Sequence, residues 1–350
     1  MQQKPDIRKL SFEQLNAEIA FIGEKPFRAK QIFKWLWQKH ARTFDEMSDL
    51  PKVLREKLNQ HFDFHVLSVA DEQNSEDGTV KSAFKTYDQK VIEGVLIPTS
   101  KRLTACISSQ VGCSLTCAFC ATGKLKRLRN LNAFEIVDQV IEINKQANKN
   151  FGKPLTNIVY MGMGEPLLNY NELLYSIDRI TSEDGLGMSP KRITVSTAGI
   201  AKMIKKLGDD QVKFNLALSL HAANDKKRSE IMPINDQNNL AILADALRYY
   251  HGKTGQKVTF EYIIFKDFND SLNDAKELAA FCGKVSSKVN IIEYNPIDEG
   301  GFERADPKKV DAFAAYLEQR GITAKVRRSR GKDIDAACGQ LANKNKAVPA

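Results

Sequence analysis

Cys113-Ser114-Leu115-Thr116-Cys117-Ala118-Phe119-Cys120 is the stretch that decides the fold, because it sets three cysteines at CxxxCxxC spacing on one short segment. Thiolates so close in sequence converge on one centre, and three ligands rather than four leave a coordination position vacant. Structural zinc takes four ligands, and the five histidines of the chain supply no pair that completes the set. The spacing therefore favours a [4Fe-4S] cluster with one open iron, with zinc or unligated thiols as the alternatives.

From about residue 103 onward the chain alternates between apolar strands and amphipathic helices. This alternation predicts parallel strands joined by right-handed crossovers, and hence an α/β barrel or an open portion of one. Periodicity does not decide whether the barrel closes. The predicted strands are residues 103–108, 157–161, 192–196, 213–219, 258–264 and 290–294. The predicted helices include residues 133–146, 172–181, 240–250 and 274–282, and an added helix and strand follow at 310–319 and 323–328.

Two smaller units precede the barrel, which we assign to residues 101–350. Residues 1–65 form a predicted helical accessory domain, because Ser11-Phe12-Glu13-Gln14 is a capping box before a run of apolar residues at helical spacing. Residues 66–100 form a predicted connector, in which two alternating segments flank a turn and indicate a β-hairpin. Trp35 and Trp37 could stack on RNA bases, although aromatics at helical spacing are more often core residues.

The composition is that of a basic globular protein. Lysine and arginine number 52 against 43 acidic residues, a formal net charge of +9, and 42% of the residues are hydrophobic. The basic residues form runs at 124–129, 226–228 and 327–330, which fit solvated faces as well as nucleic-acid contacts. The cysteine density is too low for a disulfide framework. With no apolar signal core at the start and no run long enough for a bilayer, we expect a cytoplasmic protein and no membrane contact.

Further candidate residues follow the predicted strands, where the loops of such a barrel carry its chemistry. Gly164 and Glu165 belong to a GMGEP run, in which glycines let the backbone approach a ligand and a carboxylate can receive an ammonium group. Ser196 and Ser219 end the third and fourth strands and supply short polar donors suited to a carboxylate or a ribose. Taken alone, the GMGEP run also fits a tight turn.

Several other residues are ambiguous when only their neighbours are considered. His221 fits a hydrogen-bonded structural histidine as well as a ligand, and Asn295 before a proline fits a turn. Glu93 fits an exposed strand carboxylate. Cys106 and Cys282 fit small buried apolar residues.

Cys338 differs from these cysteines because small residues surround it and a basic run precedes it. We expect the cations of that run to stabilise a thiolate, which would make Cys338 a reactive nucleophile. The cations in question are Arg327, Arg328, Arg330 and Lys332.

The cysteine octet, with an aromatic residue before its last cysteine, resembles the signature of the radical S-adenosylmethionine (SAM) superfamily. Three more stretches resemble the superfamily's RNA methyltransferases that act on adenine carbon 2, and the resemblance spans nearly the whole chain. They are Cys106-Ile107-Ser108-Ser109-Gln110-Val111-Gly112-Cys113, Met161-Gly162-Met163-Gly164-Glu165-Pro166-Leu167-Leu168-Asn169 and Asp333-Ile334-Asp335-Ala336-Ala337-Cys338-Gly339-Gln340-Leu341. The resemblance implies an incomplete six-stranded barrel, with a [4Fe-4S] cluster on the three octet cysteines and SAM chelating the open iron.

The resemblance also implies a role for each candidate residue. Cys338 takes a methyl group from one SAM, and a 5'-deoxyadenosyl radical made from a second SAM abstracts hydrogen from that methyl. The resulting methylene adds to carbon 2 and tethers the RNA to the protein. Glu93 is the implied proton acceptor, and Cys106 attacks Cys338 to release the product through a transient disulfide. The implied SAM contacts are Gly164, Glu165, Ser196, Ser219, Leu220, His221 and Asn295.

The partners implied by the resemblance are RNAs and a reductant. The RNA substrates are an adenine of 23S ribosomal RNA at the peptidyl-transferase centre and an anticodon-loop adenine of tRNAs. The reductant is an electron donor such as flavodoxin. The enzyme is expected to be a monomer. One alternative is a methyltransferase of adenine carbon 8, from which the run Gly164-Glu165-Pro166-Leu167-Leu168-Asn169 differs after the glutamate. The other is a zinc-stabilised RNA-binding protein without catalysis.

Overall fold

The computed structural model describes residues 4–298 and 300–343 of the chain. Three helices open it. Helix α1 begins after the capping box predicted at Ser11, whose hydroxyl accepts a hydrogen bond from the Gln14 amide at 3.2 Å while the Gln14 side chain accepts from the Ser11 amide at 2.8 Å. The three helices are α1 (Phe12–Phe21), α2 (Phe27–Trp37) and α3 (Lys52–His61).

Six strands follow these helices, and from residue 133 onward helices and strands alternate, as the sequence pattern predicts. The strands are β1 (Ser68–Asn74), β2 (Val80–Lys85), β3 (Val91–Pro98), β4 (Leu103–Cys106), β5 (Gln110–Val111), β6 (Arg129–Asn130), β7 (Asn157–Tyr160), β8 (Ile193–Thr197), β9 (Asn215–Ser219), β10 (Val258–Ile264), β11 (Ser287–Glu293) and β12 (Ala324–Arg327). The helices are α4 (Ala133–Phe151), α5 (Tyr170–Thr181), α6 (Ala201–Asp209), α7 (Asp225–Ile231), α8 (Leu240–Thr254), α9 (Leu272–Cys282) and α10 (Pro307–Glu318).

One large sheet organises the molecule, in the order β1-β2-β3-β4-β7-β8-β9-β10-β11-β12. Strands β1 to β4 pair antiparallel, whereas β4 and β7 to β12 pair parallel through helical crossovers. Because β1 and β12 lie at opposite edges, the sheet remains open across the described residues. The six predicted barrel strands and the added strand are therefore confirmed, and the barrel is incomplete as the resemblance implied.

Strand β1 is absent from the sequence prediction, which read the connector as a two-stranded hairpin. Its sequence, Ser-Val-Ala-Asp-Glu-Gln-Asn, is polar, and its burial pattern is mostly exposed. It lies at the edge of the sheet, where one long side faces solvent and an apolar pattern is not required. Pairing with β2 from Ser68–Lys85 to Asn74–Val80 fixes it as a strand.

Buried polar and aromatic contacts fasten the amino-terminal helices to the barrel. The Arg8 guanidinium donates to Asp6 at 2.8 Å and to Asp138 of α4 at 2.9 Å, and it lies over the Phe134 ring at 4.5 Å. Trp37 is 2% exposed and packs edge-on against Tyr175 of α5, so this tryptophan belongs to the core. The boundaries of the three predicted units stay a prediction. Within the described range, no helix is both long and apolar enough to cross a membrane.

Candidate active site

A cavity of about 230 Å³ lies at the carboxyl ends of the parallel strands. Such strand ends carry the reactive loops of barrel enzymes. Most of the residues predicted from sequence line this one cavity. They are Cys106, Cys113, Cys117, Cys120, Gly164, Glu165, Ser196, Ser219, His221 and Cys338.

The loop after β5 brings the three octet cysteines to the cavity wall. The Ala118 amide donates to the Ile231 carbonyl at 3.0 Å, which fixes the middle of the loop against α7. Gly112 has a φ of +74°, and a side chain there would meet the Lys126 carbonyl oxygen at 2.2 Å, so only glycine fits at the start of the turn. The fold of this loop therefore places the three cysteine thiols on the wall of the same cavity.

The protein environment favours the neutral form of these thiols until a positive centre binds them. Burial raises the pKa of Cys113 to about 11, and it raises the pKa of Cys117 and Cys120 as well. The thiolates also repel each other, which adds to the shift for Cys117. Ionising three buried thiols close together is unfavourable unless a positive charge lies beside them. The site therefore fits a cationic metal centre, which would stabilise the three thiolates.

The donor set suits a cluster better than a single ion. No group of three or more Cys, His, Asp or Glu side chains in the described chain is gathered closely enough to hold one metal ion. In an iron–sulfur cluster each thiolate binds a different iron, so the sulfurs need not meet at one point. The three octet cysteines could hold such a cluster without a fourth protein ligand.

Glu165 follows β7 and is held by backbone donors on both carboxylate oxygens. Its Oε1 accepts from the Leu167 amide at 3.0 Å and its Oε2 from the Ala198 amide at 2.7 Å. These hydrogen bonds oppose the rise in the pKa of Glu165 that burial causes. Gly164 has a φ of +97°, and a side chain there would lie 2.5 Å from Gln110. The carboxylate keeps lone pairs that can receive an ammonium group from the cavity.

Two hydroxyls and an imidazole form the opposite wall. The Ser196 and Ser219 hydroxyls are 3.2 Å apart on adjacent strands. The Ile263 amide donates to Nδ1 of His221 at 3.0 Å, so the neutral ring carries its hydrogen on Nε2. Burial lowers the pKa of His221 to about 3, which keeps the ring neutral and makes Nε2–H a fixed donor.

Two of the residues implied as SAM contacts do not line the cavity. The Leu220 side chain is fully buried, and its carbonyl accepts from the Arg228 guanidinium at 3.1 Å. Asn295 is buried. Its Nδ2 donates to the Cys338 carbonyl at 3.3 Å, and its Oδ1 has no hydrogen-bond partner. Leu220 can therefore reach a ligand only through its backbone, and Asn295 holds the segment that carries Cys338.

Cys338 and Cys106 share the cavity wall, although they come from distant parts of the chain. Cys106 ends β4 and is buried, whereas the Cys338 side chain is exposed to the cavity. Burial raises the pKa of Cys106 to about 12. The pKa of Cys338 is raised as well, by desolvation within the cavity and by the charge of Cys106. The two residues are thus candidates for a thiol pair.

The predicted cationic stabilisation of the Cys338 thiolate is wrong. Arg328 and Lys332 pair with Glu293, and the Arg327 guanidinium donates to the Asn290 side chain at 3.3 Å. The remaining cation, Arg330, donates to the Asp77 carbonyl at 3.1 Å. Spacing in sequence suggested proximity, but these cations bind other groups, and the charges that act on Cys338 raise its pKa.

Two other basic runs are also partly internal. Arg129 binds Asp88 and Glu135, at 2.8 and 2.7 Å. Arg228 is fully buried and donates to the Asn235 side chain at 2.8 Å. These arginines stabilise the fold and are not available to a nucleic acid.

Glu93 does not line the cavity, because the carboxy-terminal segment covers its carboxylate. We call residues 331–343 the strap. The amides of Ala342 and Asn343 donate to Oε2 of Glu93 at 2.8 and 3.1 Å. Its Oε1 is buried without a hydrogen-bond partner and lies 3.9 Å from Nζ of Lys81, which is itself buried. Burial raises the pKa of Glu93, and Lys81 opposes the rise.

The cavity contains one carboxylate that the sequence analysis did not single out. Glu261 of β10 lines the cavity, and its Oε1 accepts from the side-chain Nδ2 of Asn290 at 2.8 Å. Burial raises its pKa to about 7. The signal that could have found it is a lone acidic residue inside the otherwise apolar run 258–264.

Comparisons with known proteins agree with this geometry. Residues 6–63 match the model of the ribosomal RNA large subunit methyltransferase N-terminal domain, and residues 107–281 match that of the radical SAM superfamily. The chain is 55% identical to a probable dual-specificity RNA methyltransferase RlmN of Cytophaga hutchinsonii, over 98% of this chain and 94% of that protein. The chain is also 53% identical to a probable dual-specificity RNA methyltransferase RlmN of Christiangramia forsetii, over 98% of this chain and 97% of that protein.

The chain belongs to the RlmN family. A crystal structure of a radical SAM methyltransferase from Sphaerobacter thermophilus agrees, with a TM-score of 0.90, 40% identity, and coverage of 96% of this chain and 99% of that one. The predicted superfamily, fold class and enzyme class are confirmed. Membership in a family of enzymes removes the alternative of a non-catalytic zinc-stabilised protein.

RlmN family membership also confirms the cofactors. As a radical SAM enzyme, the protein uses a [4Fe-4S] cluster and SAM, needs a reductant, and acts on RNA. The three thiols on the cavity wall fit the cluster, and Glu165 fits the ammonium group of SAM. The cluster type, predicted from the spacing of three cysteines, is therefore correct.

Proposed function

We propose that this protein methylates carbon 2 of adenine in two RNAs, 23S ribosomal RNA at the peptidyl-transferase centre and the anticodon loop of tRNAs. The observation that carries the proposal is the presence of Cys338 and Cys106 on the wall of the cavity that also gathers the octet thiols. A carbon-2 methylation needs a methyl carrier and a group that releases it, in addition to a source of radicals. The two extra cysteines supply both functions.

The chemistry of the target explains why a methyl carrier is needed. Adenine carbon 2 lies between two ring nitrogens and has no nucleophilic lone pair, so it cannot displace the methyl group of SAM directly. The Cys338 sulfur can make that displacement, because a thiolate is a strong nucleophile. Cys338 would then hold an S-methyl group facing the cavity.

The carbon–carbon bond forms from that methyl group. When bound, the cluster and a second SAM supply the 5'-deoxyadenosyl radical that removes a hydrogen atom from it. The methylene radical on Cys338 then adds to carbon 2 and tethers the RNA, and the one electron that this adduct must lose would return to the cluster when it is bound. Glu93 removes the proton of carbon 2, and the oxygen that takes it is Oε1, which makes no hydrogen bond. The strap covers Glu93, so we infer that it moves when RNA binds.

Cys106 releases the product. Its sulfur attacks the Cys338 sulfur, a disulfide forms and the bond between sulfur and methylene breaks. The electron pair of the broken bond passes to the methylene carbon, which takes a proton and becomes the methyl group. An external reductant then restores the two thiols.

The remaining wall residues would bind SAM. Glu165 receives the ammonium group beside Gly164, and Ser196 and Ser219 face the carboxylate or the ribose. His221 donates from Nε2, and Leu220 contributes its backbone. Asn295, whose Oδ1 is unpartnered, contacts the adenosine if the strap moves.

The partners and cellular setting follow from the proposed reaction. The substrates are folded RNAs whose target adenine must be unstacked to enter the cavity. We propose that a flavodoxin supplies the electron, that the enzyme acts as a monomer, and that it works in the cytoplasm, where its RNA substrates are found. The helical unit of residues 1–65 would help to hold the RNA, the connector of residues 66–100 would join it to the barrel, and residues 101–350 would carry the chemistry.

Nucleoside mass spectrometry tests the proposal. The reconstituted protein is incubated anaerobically with a reductant, methyl-labelled SAM and unmodified ribosomal RNA or tRNA. Labelled 2-methyladenosine is the expected product. Labelled 8-methyladenosine would move the protein to the carbon-8 class, and no labelled nucleoside, with the cluster intact, would overturn the substrate.

A further inference from the structure

Glu261 is a cavity carboxylate to which the proposed function gives no role. It lies on β10 between Ser219 of β9 and Asn290 of β11, each its partner in parallel register. Neighbouring residues in register point to the same face of a sheet. The Glu261 side chain therefore shares a polar row with Ser219, whose hydroxyl lies in the same cavity wall.

Side chains on the same face of the sheet hold the Glu261 carboxylate in place. The side-chain Nδ2 of Asn290 donates to its Oε1 at 2.8 Å, and the side-chain Oδ1 of Asn290 accepts from Nε of Arg327 at 3.3 Å. The charges of Arg327 and Lys288 oppose the effect of burial, and together these influences leave its pKa at about 7. A carboxylate with such a value can both take and give a proton at neutral pH.

Cys338 needs such a group. The pKa of its thiol is raised, so the sulfur must lose a proton to another group before it can attack SAM. The basic run that precedes it binds other residues, so those cations do not provide the missing stabilisation. The charge of Glu261 acts on the Cys338 thiol, and both residues line the same cavity.

We propose that Glu261 accepts the proton of the Cys338 thiol when the sulfur takes its methyl group from SAM. The S–H bond breaks and its proton passes to the carboxylate, while the sulfur electron pair forms the new bond to the methyl carbon. The bond between that carbon and the SAM sulfonium breaks, and its electron pair stays on S-adenosylhomocysteine. The proposal rests on the proposed function, because it concerns the loading of Cys338.

The loading step can be measured without RNA methylation. The holoenzyme is mixed with methyl-labelled SAM, without RNA and without a reductant, and the label on the Cys338 peptide is followed by mass spectrometry from about pH 6 to about pH 9. The wild-type rate should rise with an inflection near 7. Glu261→Gln should lower the rate at neutral pH by about 100-fold and remove the inflection. Glu261→Asp should retain the inflection at a reduced rate.

Controls separate proton transfer from SAM binding and from misfolding. Glu318→Gln, on the exposed face of α10, should load Cys338 at the wild-type rate. Iron content and the dissociation constant of SAM should be unchanged in Glu261→Gln. Wild-type loading by this variant, or recovery of its rate at saturating SAM, would overturn the role of Glu261. A wild-type protein that methylates RNA without labelling Cys338 would overturn the proposed function itself.

Discussion

Two segments deliver cysteines to the same cavity, and they are held in different ways. The octet loop lies between β5 and β6, which pair with each other, and its middle is anchored to α7 through the Ala118 amide. The strap carries Cys338 and contains only one short 3₁₀ turn, Lys332–Ile334. Separate hydrogen bonds hold it, such as that from the Thr122 hydroxyl to the Leu341 carbonyl at 2.6 Å.

The two ways of holding the cysteines fit two different proposed roles. A cluster must keep its ligands at fixed positions, and a loop between paired strands suits that requirement. A cysteine that accepts a methyl group, bonds to RNA and then meets a second thiol must present its sulfur to several partners. A segment fastened by individual hydrogen bonds suits that role, because each bond contributes only about 1 kcal/mol.

The largest expected effect comes from removing an octet ligand. Cys117→Ala should lose iron and acid-labile sulfide after reconstitution, and with them SAM cleavage and RNA methylation, because two thiols do not hold the cluster. Iron analysis and the visible spectrum measure the change. Cys282→Ala, at the buried end of α9, is the matched control and should retain the cluster. Full iron content in Cys117→Ala would contradict the octet assignment.

Removing the strap cysteine should abolish methylation while leaving the cluster intact. Cys338→Ala should retain iron and cleave SAM when reduced, since the octet loop is unchanged, but it should form no methylated nucleoside. Iron analysis, release of 5'-deoxyadenosine and nucleoside mass spectrometry measure the three properties. RNA methylation at the wild-type rate would remove Cys338 from the reaction.

Removing the releasing thiol should stop the reaction after RNA is attached. Cys106→Ala should accumulate a covalent protein–RNA adduct, because no sulfur is left to attack Cys338. The adduct would migrate as a heavier band on a denaturing gel and disappear after nuclease digestion. Cys106→Ala combined with Cys338→Ala should give no adduct, and multiple turnovers by the single variant would contradict the role.

The partner of Glu93 should set the pH dependence of methylation. Glu93 must be ionised to take a proton, so activity is lost as pH falls through its pKa. Burial raises that pKa and Lys81 lowers it, so Lys81→Met should move the acidic limb of the rate profile to higher pH, by roughly one unit. Lys81→Arg keeps the charge and should leave the limb near its wild-type position. The profile is measured in a single turnover of enzyme already methylated at Cys338, so that loading does not set the limb. An unchanged limb in Lys81→Met would then contradict Glu93 as the proton acceptor.

The smallest effect should come from loosening the strap at one point. Thr122→Val removes the hydrogen bond to the Leu341 carbonyl at nearly constant volume, at a cost of about 1 kcal/mol. Alkylation of Cys338 should then be about fivefold faster, measured in samples matched for iron content because the Thr122 hydroxyl also bonds the Cys120 sulfur. Thr181→Val, whose hydroxyl makes a 3.5 Å contact at the exposed end of α5, is the control. Equal alkylation rates would indicate that this contact does not hold the strap.

The features predicted correctly from the sequence are those that depend on residues adjacent in the chain. The capping box at Ser11 and the CxxxCxxC loop are local patterns, and both appear where the pattern indicated. The surroundings of Cys338 were predicted wrongly because they depend on Glu293 and Asp77, which bind the cations that precede it. Glu261 was overlooked for the same reason, since only the folded sheet brings it to the cavity.

The strap contains both Cys338, the proposed methyl carrier, and the backbone amides that bond Glu93, the proposed proton acceptor. Cys338 lies only five residues before Asn343, whose amide, with that of Ala342, caps Glu93. An extended chain covers about 3.5 Å per residue, so five residues reach about 17 Å at most. A large displacement of the thiol therefore pulls the caps away and exposes the carboxylate. In the proposed reaction, the position of the Cys338 sulfur would therefore determine when the Glu93 carboxylate is exposed to take a proton.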